Sequence, residues 1–154
     1  MQQRFWRLQR IAWIAMALIV AAALLGLLGQ NGPLARSVAG DAGSGLEVEY
    51  QRFARYIAPI DLNITIAPGP RPDGQLRFWL DGEYVEGVQV ETVTPEPARV
   101  ETRGNRLYFT IDAQDPAQPA HIRLFLQAES IGSLTGTVGV EGGPRTSIRT
   151  WIYP

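Results

Sequence analysis

Between Arg10 and Arg36 the chain carries no charged side chain, and most of that stretch, Ile11 to Leu28, is apolar. Wound as a helix rising about 1.5 Å per residue, such a stretch can cross the roughly 30 Å hydrocarbon layer of a bilayer. The first expectation is therefore a transmembrane helix over 11–29. Arg4, Arg7 and Arg10 precede it and no basic residue follows until Arg36, so the positive-inside rule leaves residues 1–10 as a basic cytoplasmic head and puts everything after the span outside. Trp6 and Trp13 would stand near the inner headgroup layer, where an amphipathic indole is favoured.

A basic head and an apolar run also fit a removable signal peptide, and the decision rests on the cleavage site. Leu27 with Gly29 and Pro33 with Ala35 are poor pairs for it, and Ser37-Val38-Ala39 lies far beyond Leu28. The apolar run also exceeds the ~7–15 residues of a signal-peptide core, so the expectation is an uncleaved signal anchor. Within it, Ala17 with Ala21 and Ala22 with Gly26 have the small-xxx-small spacing that lets a neighbouring helix approach closely.

The remainder is mildly acidic. The chain carries −1 overall and the head +3, which leaves −4 beyond the span and argues against nucleic acid as a ligand. Cysteine is absent, so neither disulfides nor lipid attachment through a thiol is available. About 110 residues can still bury a single core unaided.

Residues 30–45, with Asn31-Gly32-Pro33 and Gly40, Gly43, Ser44 and Gly45, resist helix and strand alike and read as a flexible linker. From Leu46 the apolar period becomes two: Leu46, Val48 and Tyr50 alternate with Glu47 and Glu49. The same alternation predicts strands near 61–67, 75–81, 88–93, 98–102, 106–112, 121–127, 133–141 and 146–153. Turn chemistry falls between the runs, at Pro72-Asp73-Gly74, Asp81-Gly82, Arg103-Gly104-Asn105 and Gly142-Gly143-Pro144. Tyr50, Phe53, Tyr56 and Ile57 recur at helical spacing before Pro59 and predict a single helical turn there. The expected fold of 46–154 is an all-β antiparallel β-sandwich of immunoglobulin-like or fibronectin-like arrangement, with a small barrel as the alternative.

Few constellations carry chemistry. His121 is the only histidine and opens an alternating run that turns it outward, where a lone imidazole makes no zinc site. No Gly-x-Ser-x-Gly elbow accompanies it. Asp81, Glu83 and Glu86, and Asp112 with Asp115, read as solvated turn residues rather than a calcium loop. The expectation is no enzyme, no cofactor and no metal. Asn63-Ile64-Thr65 matches a glycosylation sequon inside an expected strand and reads as chance. With Leu76, Phe78 and Leu80 inward, Trp79 would emerge on the other face, as would Phe125 opposite Leu124 and Leu126; Trp151 is the third candidate. Together they would offer an interface to a protein or a platform for stacking sugars.

The run Leu46 to Tyr56, with Thr94-Pro95-Glu96-Pro97 and the closing Thr150-Trp151-Ile152-Tyr153-Pro154, resembles a group of uncharacterised bacterial single-span membrane proteins. That resemblance implies an inner-membrane setting with a β-rich domain in the periplasm or cell exterior, and no activity. Two functions are open on the residues. One is a non-enzymatic accessory module docking on another envelope protein, multi-pass proteins included. The other is a carbohydrate- or envelope-ligand-binding sandwich that uses outward aromatics.

Overall fold

Two sheets with apolar inner faces enclose one core. The computed structural model describes residues 2–24, 35–41, 43–112 and 115–154. A helix, α1 (Gln2–Leu24), is followed by β1 (Arg36–Asp41), β2 (Leu46–Gln51), β3 (Phe53–Arg55), β4 (Pro59–Ile66) and β5 (Gln75–Gly82). Then come one helical turn, α2 (Glu83–Gly87), and β6 (Val88–Thr94), β7 (Arg99–Arg103), β8 (Arg106–Asp112), β9 (Ala120–Ala128), β10 (Gly132–Val140) and β11 (Arg145–Tyr153).

The first sheet has the order β1-β2-β4-β9-β6 and the second β3-β11-β10-β5-β8-β7. Every alternating run expected from Leu46 onward is a strand, and in all but β7, which has no buried residue, one side meets the core: Leu62, Ile64, Phe78, Leu80, Phe109, Leu124, Leu126, Ile148 and Ile152 are all fully buried. Phe78 and Phe109 face each other across β5 and β8 with ring centroids 4.9 Å apart and planes 11° from parallel.

Three expectations need correction. Residues 36–41, expected within the linker, form β1 and pair with β2 from Arg36↔Gln51 to Asp41↔Leu46. The short side chains of Ser37, Ala39 and Gly40 hide strand character, and β2 supplies the ladder that creates it. The expected helical turn at Tyr50–Ile57 is absent: Phe53–Arg55 is a strand lying parallel to β11, so the second sheet is mixed rather than wholly antiparallel. Backbone pairing with the far end of the chain overrides the helical spacing of its aromatics. Asp81-Gly82 is no hairpin turn either, because β5 and β6 belong to different sheets and α2 carries the chain between them. With eleven strands split five and six among the described residues, the arrangement also differs from the seven-stranded immunoglobulin constant-type pattern.

Inside the crossing turn sits the core's main polar group. Tyr84 is fully buried, and its hydroxyl lies 3.0 Å from Thr150 Oγ1, which donates in turn to the Gln51 carbonyl at 2.7 Å. One short chain of hydrogen bonds thus links α2, β11 and β2. Burial pushes the Tyr84 phenol up to about 12, against a smaller opposing effect of the Thr150 hydrogen bond.

Among the described residues no helix is long and apolar enough to cross a membrane. Residues 25–29 of the expected span, Gly26 included, lie outside the described residues. From Ile11 to Leu24 the surface of α1 is apolar: Ile11, Trp13, Ile14, Met16, Leu18, Ile19, Val20 and Leu24 are exposed, and none of residues 9–24 belongs to the buried core.

Candidate interaction surface

The three aromatics singled out by sequence do not meet. Trp79 lies on β5 of the second sheet and Phe125 on β9 of the first, each on the outer side of its own sheet. They therefore face opposite ways and cannot form one platform. Trp79 is also covered, at 9% exposure. Its ring lies over Gly139 on β10, where a Cβ would stand 2.4 Å from the indole, and the Arg106 guanidinium sits 4.4 Å from its centroid. Arg106 is held there by Asp81 Oδ2 at 3.0 Å, and Asp81 also accepts the Thr137 N–H. The tryptophan is outward in register and buried in fact, because a glycine on one side and an arginine above it close the space.

Phe125 is half-buried beneath Arg123, 5.4 Å from its centroid. Arg123 is part of a polar chain across the first sheet. It donates to Asn63 Oδ1 at 3.0 Å, Asn63 donates to Glu49 at 3.1 Å, and Glu49 receives Arg36 at 3.2 Å. Those groups satisfy one another, and Asn63 of the sequon is among them. His121 is exposed, as expected, with Nδ1 3.3 Å from Thr65 Oγ1. The acidic loop residues serve the fold: Asp112 accepts from Gln75, while Asp115 accepts the Ala117 N–H and a Gln118 amide hydrogen. Among the described residues no group of three or more potential ligands could hold a metal ion.

Trp151 is different. It is 51% exposed on the outer side of β11, level with Phe53 of β3 in the parallel register. The same end of the sandwich carries Tyr56 and Ile57 in the turn after β3 and Ile131 in the turn before β10, all exposed. Backbone bonds tie the turn after β3 to the ends of β11 and β9: Tyr56 donates to Tyr153 O at 2.8 Å and Ile57 to Ala128 O at 3.0 Å. The polar surroundings are basic, with exposed Arg52 and Arg55 beside β3 and Arg149 on β11.

Ile57 is 59% exposed and holds φ at +61°. A β-branched residue in the left-handed region is strained by about 1–3 kcal/mol. It is held there by its own N–H on Ala128, by its carbonyl accepting from Gln127 Nε2 at 3.3 Å, and by Ala58 donating to Arg55 O at 3.0 Å. Glycine at this position relieves the strain and gives back part of it as unfolded-state entropy. Ile57→Gly is therefore expected to raise stability by about 0.5–1 kcal/mol, read as a higher urea midpoint of the full chain. An unchanged or lower midpoint would mean that the isoleucine side chain repays its backbone strain through packing.

Of these residues the sequence reading named Trp151 as an outward candidate, and it is outward; it did not so name Tyr56, Ile57 or Ile131. Ile131 had a readable signal, since it is a large aliphatic residue inside the turn composition Glu129-Ser130-Ile131-Gly132-Ser133. Ile57 had none, because nothing in its type announces a positive φ. On α1, Ala17 and Ala21 are exposed and Ala22 is half-buried; Gly26 is outside the described residues.

A two-sheet, all-β sandwich with an exposed apolar end is the class these observations define. No protein-family model and no curated protein matches the chain. Among solved structures it is similar to a cohesin module from a Clostridium perfringens family 33 glycoside hydrolase, at 9% identity and TM-score 0.47, covering 75% of this chain and 97% of that one. It is also similar to the structure of a type I cohesin–dockerin complex from Clostridium thermocellum, at 8% identity and TM-score 0.46, over 70% of this chain and 99% of that one. A third likeness is to BcpA, the major pilin subunit of Bacillus cereus, at 8% identity and TM-score 0.41, over 77% and 39% of the two chains. At these scores the sheet assignment rests on the strand pairing alone.

Proposed function

We propose that this chain is a membrane-anchored, non-enzymatic docking module of the bacterial cell envelope, held in the cytoplasmic membrane with its sandwich outside and binding another envelope protein through the Trp151 end. The observation that carries the docking reading is Ile57, an exposed aliphatic residue kept in a costly backbone conformation next to Tyr56, at the end of the sandwich that also carries exposed Ile131 and Trp151. Strain that the fold maintains without burying the side chain is the pattern of a site kept for a partner. Apolar residues at the centre with arginines around them match the make-up of protein interfaces. The rim of Arg52, Arg55 and Arg149 fits a partner whose own apolar contact is flanked by carboxylates.

Anchoring is supported by the exposed apolar surface of α1 from Ile11 to Leu24. A helix of that kind needs a surrounding apolar medium, and its arginine head sets the orientation. Tethering raises the effective concentration of a partner in the same membrane, so a small contact area suffices. The sugar-platform alternative loses its main residue, since the Trp79 face that would stack on a pyranose is occupied by Arg106.

Two arms test the proposal. A photo-crosslinking side chain placed at Trp151 in intact cells should yield a discrete adduct that Ile131→Asp reduces several-fold, while Val100→Asp on the distant β7 leaves it unchanged. An adduct insensitive to Ile131→Asp would end the docking reading. Protease added to intact spheroplasts should digest the sandwich, and full protection with a lysed sample degraded would end the topological one.

A further inference from the structure

The exposed apolar end of the sandwich is also the end at which the chain arrives from α1. Arg52 donates its N–H to Ala35 O at 2.7 Å, and Trp151 donates its own to Arg52 O at 2.8 Å. Fully buried Ala35 is thus two backbone hydrogen bonds from Trp151. The ladders agree: β1 starts at Arg36 opposite Gln51, β4 starts at Pro59 opposite Gln127, and β11 finishes at Tyr153, which accepts from Tyr56. Ile131 precedes Gly132, which pairs with Ile152 at the same end. The opposite end is formed by turns at 43–45, 67–74, 115–119 and 141–144, and these carry no aromatic or large aliphatic side chain. Tyr56, Ile57, Ile131 and Trp151 are all exposed where the chain arrives.

Chain length limits how this end stands to a bilayer. The inference deepens the docking reading and rests on it and on the proposed anchor. With a span over 11–29, five residues, 30–34, lead from the membrane to Ala35. Fully stretched they reach about 20 Å. The nine residues of β11 alone extend about 30 Å. A sandwich inverted onto its Pro- and Gly-rich end would lift Ala35 beyond the reach of those five residues, so that orientation is closed. In every other one Ala35 stays close to the lipid, and the Trp151 end stays with it.

We propose that the partner docked at the Trp151 end is itself embedded in the membrane and is met at the level of the lipid headgroups. A soluble partner would have to enter a gap of about 20 Å or less between sandwich and bilayer. A membrane-embedded protein already presents its outer rim there. Tryptophan and tyrosine suit that height, because each ring joins an apolar body to a polar tip. Two proteins held in one membrane at fixed height meet at high effective concentration, so a contact made by Tyr56, Ile57, Ile131 and Trp151 suffices.

The chain has no native cysteine, so single cysteines report position directly. Tyr56→Cys lies at the Trp151 end, and Arg145→Cys at the start of β11 lies at the other. Each full-length variant, carrying a fluorophore and reconstituted into vesicles, is exposed to lipids with a nitroxide headgroup. Quenching should be several-fold stronger at Tyr56→Cys. Equal quenching, or stronger quenching at Arg145→Cys, overturns the placement and leaves the docking test at Trp151 standing. Release of the chain from the vesicles by alkaline carbonate overturns it through the anchor instead. In intact cells a photo-crosslinking side chain at Tyr56 should form an adduct with a protein that has membrane spans of its own, as identified by mass spectrometry. No adduct, or an adduct with a soluble protein or with lipid alone, overturns the proposal.

Discussion

Replacing Tyr84 by alanine lowers the stability of the sandwich by about 4 kcal/mol, in the range of buried aromatic truncations. That is a large part of the 5–15 kcal/mol typical of a domain. The ring is fully buried where α2 crosses from one sheet to the other, so no single sheet can relax to fill the space. Tyr84→Phe separates the ring from its hydroxyl and should cost only about 1 kcal/mol, because Thr150 keeps its own donation to the Gln51 carbonyl. With a denaturant slope of about 1.5 kcal/mol/M, the alanine variant's urea midpoint should fall by roughly 2–3 M. A fall below about 1 M would show that the crossing turn is not an independent support of the core.

The same phenol gives the fold an alkaline limit. Its folded value of about 12 lies above the ordinary 10, so between these values the unfolded chain has lost a proton that the folded chain retains. Stability is therefore intact below pH 10 and declines as pH rises toward 12. The decline attributable to this group is roughly 2–3 kcal/mol at the upper end. Tyr84→Phe should flatten that part of the profile, and parallel profiles for the two proteins would refute the assignment.

Phe109→Ala is the second large expected effect, about 3–5 kcal/mol. Phe109 is 1% exposed and stacks on Phe78 directly across the β5–β8 ladder. Aromatic pairs of this kind contribute about 0.5–1.5 kcal/mol beyond area burial. The Phe78→Ala/Phe109→Ala double variant should thus lose less than the two single losses combined, by about that amount. Additive losses would mean that the rings fill space without a specific interaction. Circular dichroism during urea denaturation measures all three variants.

How much of this surface the residues announce depends on whether a side chain's own neighbours decide its fate. The alternation in 121–127 placed Ile122, Leu124 and Leu126 inside and His121 outside, as found. Trp79 obeyed the same parity and is still covered, because Gly139 and Arg106 come from other strands and close over it. Trp151 keeps its outward parity beside Phe53 of the edge strand β3 and is 51% exposed. Ile57 is placed at this end by hydrogen bonds to β9, some seventy positions away in the chain, such as Gln127 Nε2 to the Ile57 carbonyl.

By itself the sequence determined the apolar head segment and, β3 excepted, the run of strands from Leu46 onward with the inward side of those that reach the core, since their burial follows a period carried in their own residues, while β7 is a strand with no buried side. Only the tertiary structure decided which sheet each strand joins, that Arg36–Asp41 is a strand with an open edge, that Phe53–Arg55 runs parallel to the last strand, and that Ile57 adopts a left-handed backbone. These follow from hydrogen bonds and packing between residues far apart in the chain, and such partners leave no mark on the local pattern of side chains.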